Sequence, residues 1–257
     1  MLGPASSTRR GSAILLLIAI GTTAACVGER PTLADDTEPP ATTAVETTTT
    51  EPEPPAKVAQ AKAESISVFD SESDPTPNEE ITAAEATAAP DIPLVFLVRR
   101  EQNSRLEVYL PTAPSGSTGW LRAEDVTVSK VTFRVEVSLS KHRLRVFDGE
   151  KTVLDEPASI GESERPDAGG TYYIKELLQP PDPDGPYGAY AYGLSGFSTS
   201  LSSFDEGSGI VGIHGTDDPD SVGTDVPTGS IGLENTAISR LVDDIGLPLG
   251  TPVEIVS

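Results

Sequence analysis

The clearest pattern in the chain is an alternation that begins at Val131. Val131, Phe133, Val135, Val137 and Leu139 fall on one face, and Thr132, Arg134, Glu136 and Ser138 fall on the other. A period of two over this length predicts a half-buried β-strand. Ser140-Lys141-His142-Arg143 breaks the pattern as a turn, Leu144 and Val146 carry the return strand, and Asp148-Gly149 is a hairpin signal before Thr152-Val153-Leu154. His142, between two cations on the turn, is expected to face solvent. Ile210-Val211-Gly212-Ile213 reads as a short buried strand ending at His214. Ile238, Leu241, Val242 and Ile245 recur at helical spacing within 235–246, Gly246 is the stop, and a closing strand runs through Val253 and Ile255. The span 131–257 is therefore expected to be mainly β with a short C-terminal helix.

Upstream, Leu94 to Val98, Leu106 to Leu110 and Gly119 to Val126 are short strand patterns separated by Gly, Pro and Ser turns. They predict a small β module over 92–130. Its ending, Gly-Trp-Leu-Arg-Ala-Glu-Asp-Val, resembles the close of a bacterial SH3-like module. Such a short unit is expected to pack on the following domain, with Trp120 anchoring the interface. Residues 27–91 are rich in Thr, Pro, Glu and Ala and predict a disordered acidic tether. Within it Ser65-Ile66-Ser67-Val68-Phe69 is a strand-like patch, and 83–89 reads as nascent helix. Residues 1–26 have Arg9-Arg10, an apolar run from Ala13 to Ile20, and then Thr23-Ala24-Ala25-Cys26. This is the layout of an export signal, and its end resembles a lipobox with Cys26 as the lipidated residue.

Charge and cysteine count narrow the function. The formal net charge is -22; residues 27–91 carry 15 acidic and 3 basic side chains, and the rest is acidic too, so nucleic acid is not an expected partner. Cys26 is the single cysteine, which excludes an intrachain disulfide and a cysteine-based metal site. Asp182 and Asp184 lack a full calcium ligand set. No motif for a cofactor is present, and no metal is expected.

Candidate chemistry lies in 213–233. His214-Gly215-Thr216 is followed, sixteen residues after the histidine, by Ser230 within Pro227-Thr228-Gly229-Ser230-Ile231-Gly232-Leu233. A hydroxyl and a base with glycines beside both are the parts of nucleophilic acyl transfer. Asp217, Asp218 and Asp225 are candidates to orient the histidine.

This arrangement resembles the catalytic domain of the L,D-transpeptidases, which cross-link peptidoglycan. In that family a His-Gly element precedes Ser-His-Gly-Cys-Ile-Arg-Leu. The resemblance runs from about residue 132 to 257 and includes Ser140-Lys141, Ala158-Ser159-Ile160-Gly161, Gly170-Thr171-Tyr172 and Gly250-Thr251-Pro252-Val253. It implies a β-sandwich or barrel, peptidoglycan stem peptides as partners, His214 as base, and Gly229 and Thr228 beside the reacting centre. It further implies that Tyr190, Tyr192, Gly215 and Thr216 contact the stem peptide, with Tyr187 a further aromatic on the same segment. Ser230 stands where the family has its cysteine, Thr228 where it has a second histidine, and Gly232 where it has an arginine. A thiol near pKa 8.5 becomes a thiolate beside a histidine far more readily than an alcohol does. The expectation is an exported, lipid-anchored cell-wall protein with impaired or absent catalysis. A serine-dependent acyl transferase using Ser230 and His214, and a structural lipoprotein with an empty groove, are the competing readings.

Overall fold

The computed structural model describes residues 54–162, 166–197 and 210–257. In order come β1 (Ala56–Ala61), β2 (Ser65–Val68), β3 (Glu79–Thr82), helix α1 (Ala83–Ala86), β4 (Val95–Gln102), β5 (Arg105–Tyr109), β6 (Thr118–Arg122) and β7 (Val126–Val131). Then follow β8 (Phe133–Ser138), β9 (Arg143–Asp148), β10 (Lys151–Pro157), β11 (Ser159–Gly161), β12 (Thr171–Leu178), β13 (Ala191–Phe197), β14 (Ile210–His214), β15 (Asp225–Val226) and β16 (Ile231–Gly232). Helix α2 (Asn235–Ser239) continues as a wider π turn to Ile245, and β17 (Pro252–Val256) ends the fold.

The second half is one ten-stranded sheet ordered β10-β9-β8-β17-β12-β13-β14-β16-β11-β15. Its origin is the alternation at β8: Val135 and Val137 are fully buried, and their partners Val146 and Leu144 on β9 are too. Gly149 takes the positive φ of 57° that the hairpin turn after β9 requires. β17 returns parallel to β8, with Val253 opposite Val135 and Ile255 opposite Val137. Ile238 and Leu241 of the C-terminal helical segment enter the same core, and Gly246 ends it in the left-handed region with φ 66°.

The first half departs from expectation. Its five-stranded sheet is ordered β6-β5-β4-β1-β7, and β1 lies inside it, antiparallel to both β4 and β7. The stretch 27–91, expected to be disordered, is therefore ordered from residue 54 onward, and the module starts well before 92. Only Val58 in Ala-Lys-Val-Ala-Gln-Ala is a strong strand former. Two flanking ladders and the burial of Val58 and Ala59, at 3% and 0% exposure, make this segment a strand. The strand-like patch at 65–68 is β2, paired with β3 through Ile66 and Ile81. α1 follows at once, with Glu85 accepting the Thr82 amide at its start. The export signal, Cys26 and residues 27–53 lie outside the described residues.

Trp120 does not anchor the junction of the two halves. It sits on the outer strand β6, exchanging backbone bonds of 2.9 Å with Phe69, and Arg100 covers its ring at 4.9 Å. Tyr173 of β12 takes the anchoring part, fully buried among Val58, Val95, Leu97 and Val131. Burial pushes its phenol pKa up, so it remains protonated. Beside it, a bulge in β12 turns Lys175 and Glu176 toward the end of α1. Lys175 Nζ donates to the Ala86 carbonyl at 2.5 Å, Glu176 Oε2 accepts the Ala88 amide at 2.7 Å, and the two charges lie 3.3 Å apart. Gly250 closes the contact: with φ 88°, it brings its backbone so near Val58 that a Cβ would lie 2.3 Å from the valine methyl.

Because β1 is an inner strand, a chain truncated to begin at Ile92 is expected to lose cooperative thermal unfolding, whereas one beginning at Pro54 keeps it. Circular dichroism melting curves with limited proteolysis check this; a cooperative, protease-resistant chain from Ile92 would contradict the assigned topology.

Candidate active site

Three short strands build the site, and their register decides which side chains meet. β14 pairs parallel with β16, placing Ile213 beside Ile231 and His214 beside Gly232. β16 pairs antiparallel with β11, placing Ile231 opposite Ile160 and Gly232 opposite Ser159. Residues paired across strands share a face, and neighbours along a strand alternate. Ile160, Ile231 and Ile213, at 0%, 2% and 1% exposure, form a row in the core. His214, Gly232 and Ser159 therefore lie on the opposite face. Ser230, two positions before Gly232, shares that face.

His214 is the best-defined group. Its Nδ1 lies 2.5 Å from the carbonyl of Gly215. A carbonyl only accepts, so Nδ1 carries the proton and Nε2 presents a lone pair. Burial holds the imidazole pKa below its ordinary value, and the Gly215 carbonyl only partly opposes this. The edge of Tyr187 meets the ring at 5.1 Å with the planes at 76°. The resting histidine is thus a neutral base with a fixed tautomer.

The segment after His214 is clamped in that position. The Gly215 amide donates to Tyr187 O at 3.0 Å and Tyr190 O at 3.3 Å, and the Thr216 amide donates to Asn235 Oδ1 at 3.1 Å. Gly188 and Gly215 pack against the same Asn235 oxygen, which would lie 2.1 Å from a Cβ on either. Gly215 and Thr216, expected to contact substrate, have their amide donors committed to this clamp. Sequence reasoning missed Asn235; its place two residues after the Ile-Gly-Leu run, at the first position of α2, was the available signal.

Ser230 is 6% exposed, and its carbonyl accepts the Gly161 amide at 3.0 Å. Gly161 lies under the preceding loop so closely that a Cβ would meet Thr228 O at 2.2 Å and Gly229 Cα at 2.7 Å. Gly229 is buried and Thr228 is exposed. Among the described residues, no hydrogen bond joins the Ser230 hydroxyl to His214. The structure places the base and the alcohol on one face of adjacent strands, without a preformed bond.

Among the carboxylates considered for orienting His214, that of Asp225 is engaged elsewhere. Asp225 lies 3.0 Å from His142 Nε2, so His142 is a partner of the loop leading to Ser230 and not merely a solvated turn residue. The Asp218 amide donates to Thr216 Oγ1 at 3.1 Å, within an exposed turn. Tyr192 is a core residue at 1% exposure, its hydroxyl directed to Leu241 O and its pKa pushed up to about 12 by burial. Tyr190 packs on the same core and donates to Asp243 at 3.0 Å. Tyr187 is the tyrosine that touches His214. Among the described residues no cluster of His, Cys, Asp and Glu is arranged to hold a metal.

Comparison with known proteins finds a family match over the same part of the chain. Residues 132–255 match the YkuD family, described as the L,D-transpeptidase catalytic domain. A curated Bacillus licheniformis protein, provisionally named L,D-transpeptidase YkuD, is 30% identical over 125 residues. That match spans 49% of this chain and 66% of the relative's length. A Bdellovibrio bacteriovorus protein of solved structure is 23% identical over 49% of this chain and 48% of its own, with a TM-score of 0.37. The solved L,D-transpeptidase of Xylanimonas cellulosilytica is 19% identical over 49% and 61%, with a TM-score of 0.34. On the family match, residues 132–255 are similar to the L,D-transpeptidase catalytic domain.

The depressed pKa of His214 has a sign. Protonation is penalised in the folded state, so stability linked to this group is full above the unfolded value near 6.5 and falls as pH drops through the folded value. Nitrogen-15 NMR of the two histidines should show His214 as the Nδ1–H tautomer, titrating below 6.5. An Nε2–H tautomer, or a midpoint above 6.5, would contradict the geometry.

Proposed function

We propose that the L,D-transpeptidase-like domain acts on peptidoglycan in an exported, lipid-anchored protein, engaging stem peptides while lacking effective cross-linking chemistry. The observation that carries this reading is the pairing of an ordered base with an altered acceptor set. His214 is neutral, fixed in tautomer and braced by Gly215 and Asn235. Beside it stand Ser230 and Gly232, at the positions of the family's cysteine and arginine. An alcohol needs a bonded base and a strong oxyanion site to attack an amide at a useful rate. Neither a Ser230–His214 bond nor a side chain at 232 is present.

His214 favours one second reading. Its free Nε2 can receive a proton from Ser230 once a ligand draws the two together, because catalytic hydrogen bonds often tighten only in the loaded site. In that case Ser230 Oγ would attack the stem-peptide carbonyl and form an ester. The amine of the donor peptide would leave with the proton from His214, and a second stem amine would resolve the ester. Attachment through Cys26 and export by residues 1–26 belong to the proposal on the sequence pattern alone.

Intact mass of the full chain, after incubation with a carbapenem or with disaccharide tetrapeptide, tests both readings in wild type and Ser230→Cys. The expected result is no adduct on the wild type and acylation of the cysteine variant by the carbapenem. A wild-type adduct that vanishes in Ser230→Ala would establish the serine enzyme. A cysteine variant that stays unmodified would remove the claim that the groove is intact.

A further inference from the structure

Between the five-stranded sheet and the domain lies a cavity of about 350 Å3. Leu97 of β4 and Tyr109 of β5 line it on the sheet side, and Phe133 of β8 and Pro252 of β17 on the domain side. Pro54 and Pro55, which lead into β1, also line it. The chain therefore reaches β1 by way of this cavity.

The charges around it are unequal. Arg99 belongs to the sheet side and Arg134 to the domain side. Arg99 shares the buried Glu107 carboxylate with Arg100, at 3.1 Å and 2.6 Å, so two guanidiniums face one acid. Arg134 lies over the ring of Phe147 at 3.7 Å, and Glu254 is the one acid in the lining. Arg99, Arg100 and Arg134 set against Glu107 and Glu254 leave an excess of positive charge. The whole chain has a net charge of -22, so this spot is opposite in sign to its surroundings.

The covalent chain brings an anion to it. Glu51-Pro52-Glu53 runs directly into Pro54 and Pro55. A residue before proline is held extended, and a proline-rich run rises about 3.1 Å per residue. Glu53 is thus the neighbour of a lining residue, and Glu51 stands within about 10 Å of it along the chain. Groups tethered so closely reach an effective concentration in the millimolar range. The same run supplies what the cavity asks for, a proline for the apolar walls and two carboxylates for the two arginines.

We propose that this cavity is the docking site of Glu51-Pro52-Glu53, with Pro52 against the apolar walls and the two carboxylates paired with Arg99 and Arg134. One arginine comes from each half of the structure, so the docked run is a strap across their junction. Its hold is electrostatic and weakens with salt. The inference is independent of how the active site is read.

Melting curves of the full chain test the strap, in wild type, Glu51→Gln/Glu53→Gln, Arg99→Gln/Arg134→Gln and the combination of all four. Removing two negative charges from so acidic a chain lessens self-repulsion, so without docking the glutamine variant should melt at the same temperature or higher. The strap predicts the opposite sign, a fall of about 1 to 3 °C at low salt. That fall should vanish when salt is raised from about 20 mM to about 1 M. It should also be absent when the same change is made in the Arg99→Gln/Arg134→Gln background. An unchanged or raised melting temperature at low salt overturns the proposal, and so does a fall that persists in high salt or in the arginine-free background. The salt comparison needs only the glutamate variant, whose changes lie outside both sheets, so it stands even where the arginine variants fold poorly. Added disaccharide tetrapeptide that raises the wild-type and glutamine-variant curves equally, through a rise lost in Arg99→Gln/Arg134→Gln, would assign the cavity to a soluble ligand and overturn the strap.

Discussion

A half-buried imidazole imposes conditions that organise much of this domain. Desolvation favours its neutral form, and its N–H needs an acceptor. His214 meets the second condition through the carbonyl of its own neighbour, Gly215. That bond fixes the direction of the chain from 214 to 216, so the amides of Gly215 and Thr216 need acceptors of their own. Tyr187, Tyr190 and Asn235 supply them, and the closeness of those elements requires glycine at 188 and 215. The amides that follow one imidazole thus tie together the end of β14, the loop before β13 and the start of α2.

The same segment explains how a base can persist beside an altered nucleophile. No side chain from residues 227–232 orients His214; the orienting carbonyl, the amide clamp and the aromatic neighbour all lie outside that run, to which β14 is joined only through the backbone ladder with β16. Ser230 and Gly232 are placed by another mechanism, the backbone ladder to β11 and the close approach of Gly161 to the 228–229 loop. Changes in one set of side chains therefore leave the other intact. His142 adds a third restraint by pairing with Asp225 on the same loop.

The N-terminal sheet joins the domain through a different balance of forces. Tyr173 contributes apolar burial, while Lys175 and Glu176 meet backbone groups at the end of α1. Burial lowers the Lys175 pKa, and the adjacent Glu176 charge opposes that shift. Such a pair contributes little net stability against an apolar alternative, but a misdocked α1 would remove the backbone groups that both side chains bond. The arrangement favours one docking of the two halves.

The sequence by itself determined the strands whose hydrophobic alternation is strong, β8, β9 and β17, the helical spacing of Ile238 and Leu241, and the identity of His214 and Ser230 as the polar residues beside glycines. Local pattern suffices there because burial of one face rewards a fixed period. Only the tertiary structure decided that 56–61 is an inner strand, that Tyr173 and not Trp120 fills the junction, and that Tyr192 belongs to the core while Tyr187 meets the histidine. It also decided that Asp225 pairs with His142, and that Ser159 stands across Gly232 from His214. Each of these depends on which strands become neighbours across long stretches of sequence. Register between distant segments is set by the packing of the whole sheet, and no local spacing encodes it.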